Sequence, residues 1–108
     1  MSSLGLGFVL ATYDNVIDGT TPRWADLRQQ ATRAESIGFD TVWIADEFQW
    51  EADAWDSPIG WWECVAIAGA VAASTSTIDV GTWVLSALHR NPGLTARVVE
   101  TLNEISGG

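Results

Sequence analysis

Asp46 and Glu47 stand together where an apolar run, Thr41-Val42-Trp43-Ile44-Ala45, stops. A buried strand that ends in two carboxylates holds them rigidly. A carboxylate so placed serves as a general base if burial raises its pKa toward neutrality. Residues 46 to 63 carry six acids (Asp46, Glu47, Glu51, Asp53, Asp56, Glu63) and no base. A hard cation could use such oxygens, but their spacing matches no loop motif, and a solvated acidic face is the reading preferred.

Three other residues invite chemistry. His89, the only histidine, lies in a loop beside Arg90 and reads as solvated. Asn91 ahead of Pro92 caps a helix, whose N-terminus could hold an anion, although a plain structural cap accounts for it. Cys64 is the only cysteine. It cannot form an internal disulfide or a metal site, and on an apolar helix it reads as a small core residue.

The elements that must position these groups follow from periodicity. Leu4 to Ala11 is short, apolar and β-compatible. Tyr13 to Thr20 is a polar loop. Thr21 reads as an N-cap with Pro22 at the first helical position. Trp24, Leu27, Ala31, Ala34 and Ile37 then mark one helix face, ended by Gly38. Thr41 to Ala45 is a strand without alternation, as expected where both faces are covered. Residues 46 to 60 read as a long loop. A helix from about Trp61 to Ala73 is apolar nearly all round and should be deeply packed. Ile78 to Leu85 is a third strand. The last helix shows Leu94, Val98, Leu102 and Ile105 on one stripe and ends at Ser106-Gly107-Gly108. Trp55, Trp61 and Trp62 read as packing residues.

The totals narrow the function classes. The chain has 108 residues, enough for one small domain. Apolar residues make up 47%, so it forms a core. Fourteen acids face five bases, all arginine, for a net charge of -9. That balance argues against nucleic acid and against an anionic membrane surface. The N-terminus has no basic segment ahead of its apolar run. The longest apolar run, Cys64 to Ala73, is half of the roughly 20 residues a membrane helix needs. A soluble, cytoplasmic protein is expected.

The order βαβαβα, with strands starting near residues 4, 41 and 78, implies a parallel sheet with right-handed crossovers. A doubly wound sheet would put a glycine-rich phosphate turn after strand one. Gly5 and Gly7 instead lie inside the strand, with Leu10 where a third glycine belongs, and read as close-packing glycines. No lysine exists for a phosphate loop. The other architecture is an eightfold barrel, which takes roughly 250 residues.

Four stretches in order carry a resemblance. They are Gly38-Phe39-Asp40-Thr41-Val42-Trp43, Val80-Gly81-Thr82-Trp83-Val84, Arg90-Asn91-Pro92, and Thr101 to Gly108 at the end. Together they resemble the N-terminal part of the bacterial-luciferase-like flavin-dependent oxidoreductases, over essentially the whole chain. The resemblance implies a (β/α)8 TIM barrel, of which residues 1–108 are the first three βα units in a single domain, stopping before strand four. It implies FMN or the deazaflavin coenzyme F420 at the C-terminal strand ends, a small-molecule substrate, monooxygenase or hydride-transfer chemistry, and room for a homodimer when full length.

The resemblance also assigns residues. Asp46 and Glu47 fall on the catalytic face. The family often has an acid followed by histidine here, so Glu47 replaces a histidine and becomes the candidate base. Trp50 corresponds to a tryptophan that lines the pocket in some deazaflavin-using relatives. Trp83-Val84 falls where the family often has a non-proline cis peptide against the isoalloxazine ring, with a small residue more usual at Trp83. Ser86 points to the same mouth. Cofactor contact is therefore expected from Asp46, Glu47, Trp50, Trp83, Val84 and Ser86, with no metal. The 108 residues alone are expected to be inactive. A rival expectation is a truncated, non-catalytic α/β fragment that associates with a partner chain through open sheet edges and an uncovered apolar face. A third is a complete small doubly wound nucleotide-binding domain.

Overall fold

A computed structural model describes residues 4–54 and 56–108; Trp55, read above as a packing residue, lies outside them. The elements run β1 (Gly7–Val9), α1 (Trp24–Ser36), β2 (Thr41–Ile44), β3 (Gln49–Trp50), β4 (Ile59–Gly60), α2 (Cys64–Ala72), β5 (Asp79–Thr82) and α3 (Pro92–Ser106), with a 3-10 turn Ala87–His89 before α3. β1, β2 and β5 form one sheet in that spatial order, and both pairs are parallel. The α/β class, with three parallel strands and three helices, is as expected.

The core explains the order. Leu27, Ala31 and Ala34 recur at helical spacing and bury one stripe of α1. Cys64, Ala68 and Val71 do the same for α2. Both stripes join Leu10, Val42, Ile44 and Ile78 in one cluster. α1 and α2 therefore share one face of the sheet. Each fully buried Val, Leu or Ile there contributes about 1.5–3 kcal/mol of transfer free energy. α3 is more loosely seated and has no buried residue; its Leu102 lies partly buried against the cluster.

Strand two departs from the expectation of two covered faces. Val42 and Ile44 are buried, but Trp43 between them is 37% exposed on the opposite face. That face has no helix among the described residues. Trp43 instead spreads over glycines. Its pyrrole edge lies where a side chain on Gly7 would be, and its benzene edge where one on Gly81 would be. The packing role read for Gly7 is the one observed.

Several boundaries differ, each for a local reason. β1 is shorter than Leu4 to Ala11. α1 starts at Trp24, with Arg23 and not Thr21 at the cap, because the Asp26 carboxylate accepts the Arg23 N–H at 3.1 Å. α2 starts at Cys64 and not near Trp61. Trp61 bridges to Tyr13, the Trp62 N–H donates to the Thr12 carbonyl at 2.8 Å, and Glu63 caps the helix by accepting the Ala66 N–H at 2.7 Å. β5 spans Asp79–Thr82, not Ile78 to Leu85.

The segment read as a long loop contains an antiparallel pair, β3 with β4. Asp14 ties it down: its carboxylate accepts the Gly60 N–H at 2.9 Å and its own N–H donates to the Gly60 carbonyl at 3.0 Å. Tyr13 and Trp61 stack with ring centroids 4.8 Å apart, and the Trp62 indole N–H donates to the Pro22 carbonyl. Trp61 and Trp62 thus pack the hairpin base onto the β1–α1 loop. Among the described residues no helix is long and apolar enough to cross a membrane.

Candidate functional site at the strand ends

The C-terminal ends of the three strands open on one side of the sheet. β2 delivers Asp46 there, two residues past its last hydrogen-bonded position. β5 delivers Trp83, whose N–H donates to the Ile44 carbonyl at 2.8 Å. The Trp83–Val84 peptide is cis, as the resemblance implies. Trp83 is 62% exposed and Val84 is exposed beside it. Together they present an apolar wall to the mouth.

Asp46 is the most enclosed charge of the mouth, with its side chain 1% exposed. One carboxylate oxygen accepts the Ser86 N–H at 2.8 Å and the Arg90 Nε–H at 3.1 Å. The other accepts from Arg90 Nη2 at 2.6 Å. This is the forked guanidinium–carboxylate pairing that only arginine can make. Arg90 Nη2 reaches on to Glu63 at 2.9 Å. Burial alone would raise the Asp46 pKa, but the Arg90 hydrogen bonds and the Ser86 N–H outweigh it and hold the carboxyl below its ordinary value. Glu63 follows the same logic: burial opposes ionisation, while the Ala66 N–H and Arg90 prevail.

The structure brings Asp46 and Ser86 into direct contact and sets Trp83 and Val84 just before them. Glu47 and Trp50 follow Asp46 on the chain that leaves the same strand end into the hairpin, and both are exposed. The described residues do not bury Glu47. His89 stacks against Phe48, ring centroids 5.0 Å apart, and lies close enough to Asp46 to favour its charge.

Arg90 and Glu63 were not among the expected site residues. Arg90 stood only as part of a helix-opening motif, and Glu63 only as one of six acids. One signal could have found them. A stretch of six acids with no base demands a cation from elsewhere, and Arg90 is the nearest one in the sequence on its C-terminal side. Asn91 caps α3 by accepting the Gly93 and Leu94 N–H groups, so its side chain is taken up by the cap. Cys64 is buried, and its thiol donates weakly to the Ile44 carbonyl at 3.7 Å. Burial, then the Asp46 and Glu63 charges, push its pKa up to about 12.

Comparison with known proteins bears on this geometry. The family described as luciferase-like monooxygenase matches residues 6–108. The chain is 36% identical over 85 residues, 77% of its length, to an F420-dependent glucose-6-phosphate dehydrogenase of Amycolatopsis mediterranei, of which it covers 24%. It is 31% identical over 86 residues to a 5,10-methylenetetrahydromethanopterin reductase of Archaeoglobus fulgidus, covering 23% of that protein. A protein of the same description from Methanolobus tindarius is 36% identical over 78 residues and covered to 21%. The chain thus spans about a quarter of the length of the curated relatives it matches.

Proposed function

We propose, since the chain belongs to the luciferase-like monooxygenase family, that it forms the first three βα units of a (β/α)8 barrel in a deazaflavin-dependent oxidoreductase. Two features of the fold support the barrel reading. The strand order β1-β2-β5 follows the chain without reversal, and α1 and α2 lie on one face. A doubly wound sheet reverses its order and carries helices on both faces. The names of the three relatives, one F420-dependent and two reducing a methanopterin, favour the deazaflavin over FMN.

The observation that carries the reading is the exposed apolar wall that Trp83 and Val84 make at the strand ends. Its exposed apolar surface suits the flat face of a tricyclic ring. The donor set suits the ring and not the anionic tail. Arg90 is committed to Asp46 and Glu63, and Arg97 to Glu100. Trp83 and Val84 would hold the ring, Ser86 would hydrogen-bond its edge, and Trp50 would close the pocket from the hairpin.

A bound deazaflavin supplies a carbon that accepts or gives a hydride. The protein's part is orientation and the proton. When a substrate alcohol loses its C–H as hydride, its O–H proton must leave too, and the product is a carbonyl. A Glu47 carboxylate oxygen is the acceptor we assign.

Titration of the natural protein with deazaflavin and, separately, with FMN tests the reading. Tighter binding of the deazaflavin is expected. Binding of neither cofactor would overturn the assignment; binding of FMN alone would move it to the oxygenating branch.

A second reading rests on the open face around Trp43 and on a groove of about 500 Å³ along β5, lined by Ala68, Val80, Leu85 and Leu102. A chain left with these surfaces uncovered would associate with a partner. Size-exclusion of the 108 residues tests it: association supports it, and a compact monomer counts against it.

A further inference from the structure

The segment from Trp83 to His89 carries the proposed ring-facing wall, yet little fixes it. Trp83, Val84, Ala87, Leu88 and His89 are exposed. Its only described backbone hydrogen bond to the sheet is that of the Trp83 N–H. The N–H groups of His89 and Arg90 bond within the segment, to Ser86 and Ala87. Beyond Trp83, Leu85 packs partly against the core, and the remaining polar tethers run to Asp46 and, from Arg90, to Glu63. The Asp46 carboxylate takes Ser86 from the middle of the segment and Arg90 from its end.

We propose that Asp46, acting through Arg90 and Ser86, is a positioning residue that sets the 83–90 segment for cofactor binding, and that it does not itself touch the ligand. With its side chain 1% exposed and both oxygens occupied, Asp46 has no surface to offer. Its partners reach α2, α3 and the segment after β5. Arg90 immediately precedes the Asn91 cap of α3 and also binds Glu63, the cap of α2. The four-residue set therefore ties the end of β2 to the starts of α2 and α3 and to the segment between β5 and α3. A buried pair of this kind adds little net stability, but it specifies one arrangement. Here that arrangement is the height and tilt of the wall. Lysine in place of Arg90 would keep the charge and lose the fork.

This inference rests on the cofactor reading above, and its test separates the two. Deazaflavin is titrated into the natural protein, Asp46→Asn, Arg90→Lys and a core control, Leu27→Val, at a temperature where circular dichroism shows all four folded. The control loses packing in the core cluster and none of the polar contacts of the mouth. Asp46→Asn and Arg90→Lys are expected to weaken binding at least tenfold, while Leu27→Val stays within twofold of wild type even where its melting temperature falls as far. Ser86 should show the change directly, as a shifted amide resonance in both mouth variants and not in the control. If Asp46→Asn does not fold, Arg90→Lys carries the same test alone. Wild-type affinity in the mouth variants, or an equal loss in the control, would overturn the positioning role and leave the cofactor reading intact. A wild type that binds no deazaflavin would overturn both.

Discussion

The benzene edge of Trp43 occupies the space that a side chain on Gly81 would need. The two residues are directly paired across β2 and β5, so the contact is set by sheet register. Gly81→Ala would force the indole, or the strand, to move. Overpacking of this kind costs about 1–3 kcal/mol. In a domain of this size that lowers the melting temperature by about 4–8 °C per kcal/mol. Gly7→Ala should behave alike, since the pyrrole edge lies over Gly7. A thermal melt of each checks this. The Gly81→Ala, Trp43→Ala double variant should lose less than the sum of its singles, because removing the indole removes the clash.

Glu35 at the end of α1 fastens the opposite end of the sheet. One carboxylate oxygen accepts the N–H groups of Ser76, Thr77 and Ile78 at 2.7, 2.6 and 3.1 Å. The Thr77 and Ser76 N–H groups hold its pKa below the ordinary glutamate value. Glu35→Ala should cost about 1 kcal/mol, a modest sum because the site is open to water. Glu35→Gln, which keeps one acceptor oxygen, should lose less. Urea unfolding of the two variants measures the difference.

Acid should loosen the mouth. The folded pKa of Asp46 lies below its unfolded value, with burial opposing and Arg90 and Ser86 prevailing. A group with a depressed folded pKa stabilises above its unfolded pKa and ceases to as pH falls through the folded one. The loss should therefore begin below about pH 4, the ordinary aspartate range. Glu63 shifts in the same direction and adds to it; Glu35, at the other end of the sheet, adds a like loss of overall stability. In Asp46→Asn this acid dependence should be shallower. Denaturant melts from pH 7 to pH 3 would show it.

Cys64 should be inert. Its thiol is buried and its pKa is pushed up to about 12, so almost none is thiolate at neutral pH. A thiol reagent should label it only after denaturant unfolds the chain. Labelling of the native chain at the unfolded rate would show that α2 is not seated as described.

Much of this was legible in the residues, and the parts that were not share a cause. The strand and helix order follows from local runs and caps; Asn91-Pro92 opens α3 and Gly107 closes it with φ +81°. The hairpin β3–β4 escaped because two-residue strands show no alternation, and because Asp14, 46 residues away, holds them in place. The open face of β2 escaped because an apolar run does not tell which face a neighbour will cover; Trp43 next to two strand glycines was the available hint. The Asp46–Arg90 pair escaped because its partners are 44 residues apart. From the sequence, Asp46 read as a cofactor contact. Only packing shows that its carboxylate also accepts from the Ser86 N–H and from Arg90.

The most direct test is a crystal structure of the natural protein with the deazaflavin bound. The ring is expected within van der Waals contact, about 4 Å, of Trp83 and Val84, with Asp46 still paired to Arg90 and out of contact with the ligand. A ring bound elsewhere, or one touching the Asp46 carboxylate, would contradict that expectation.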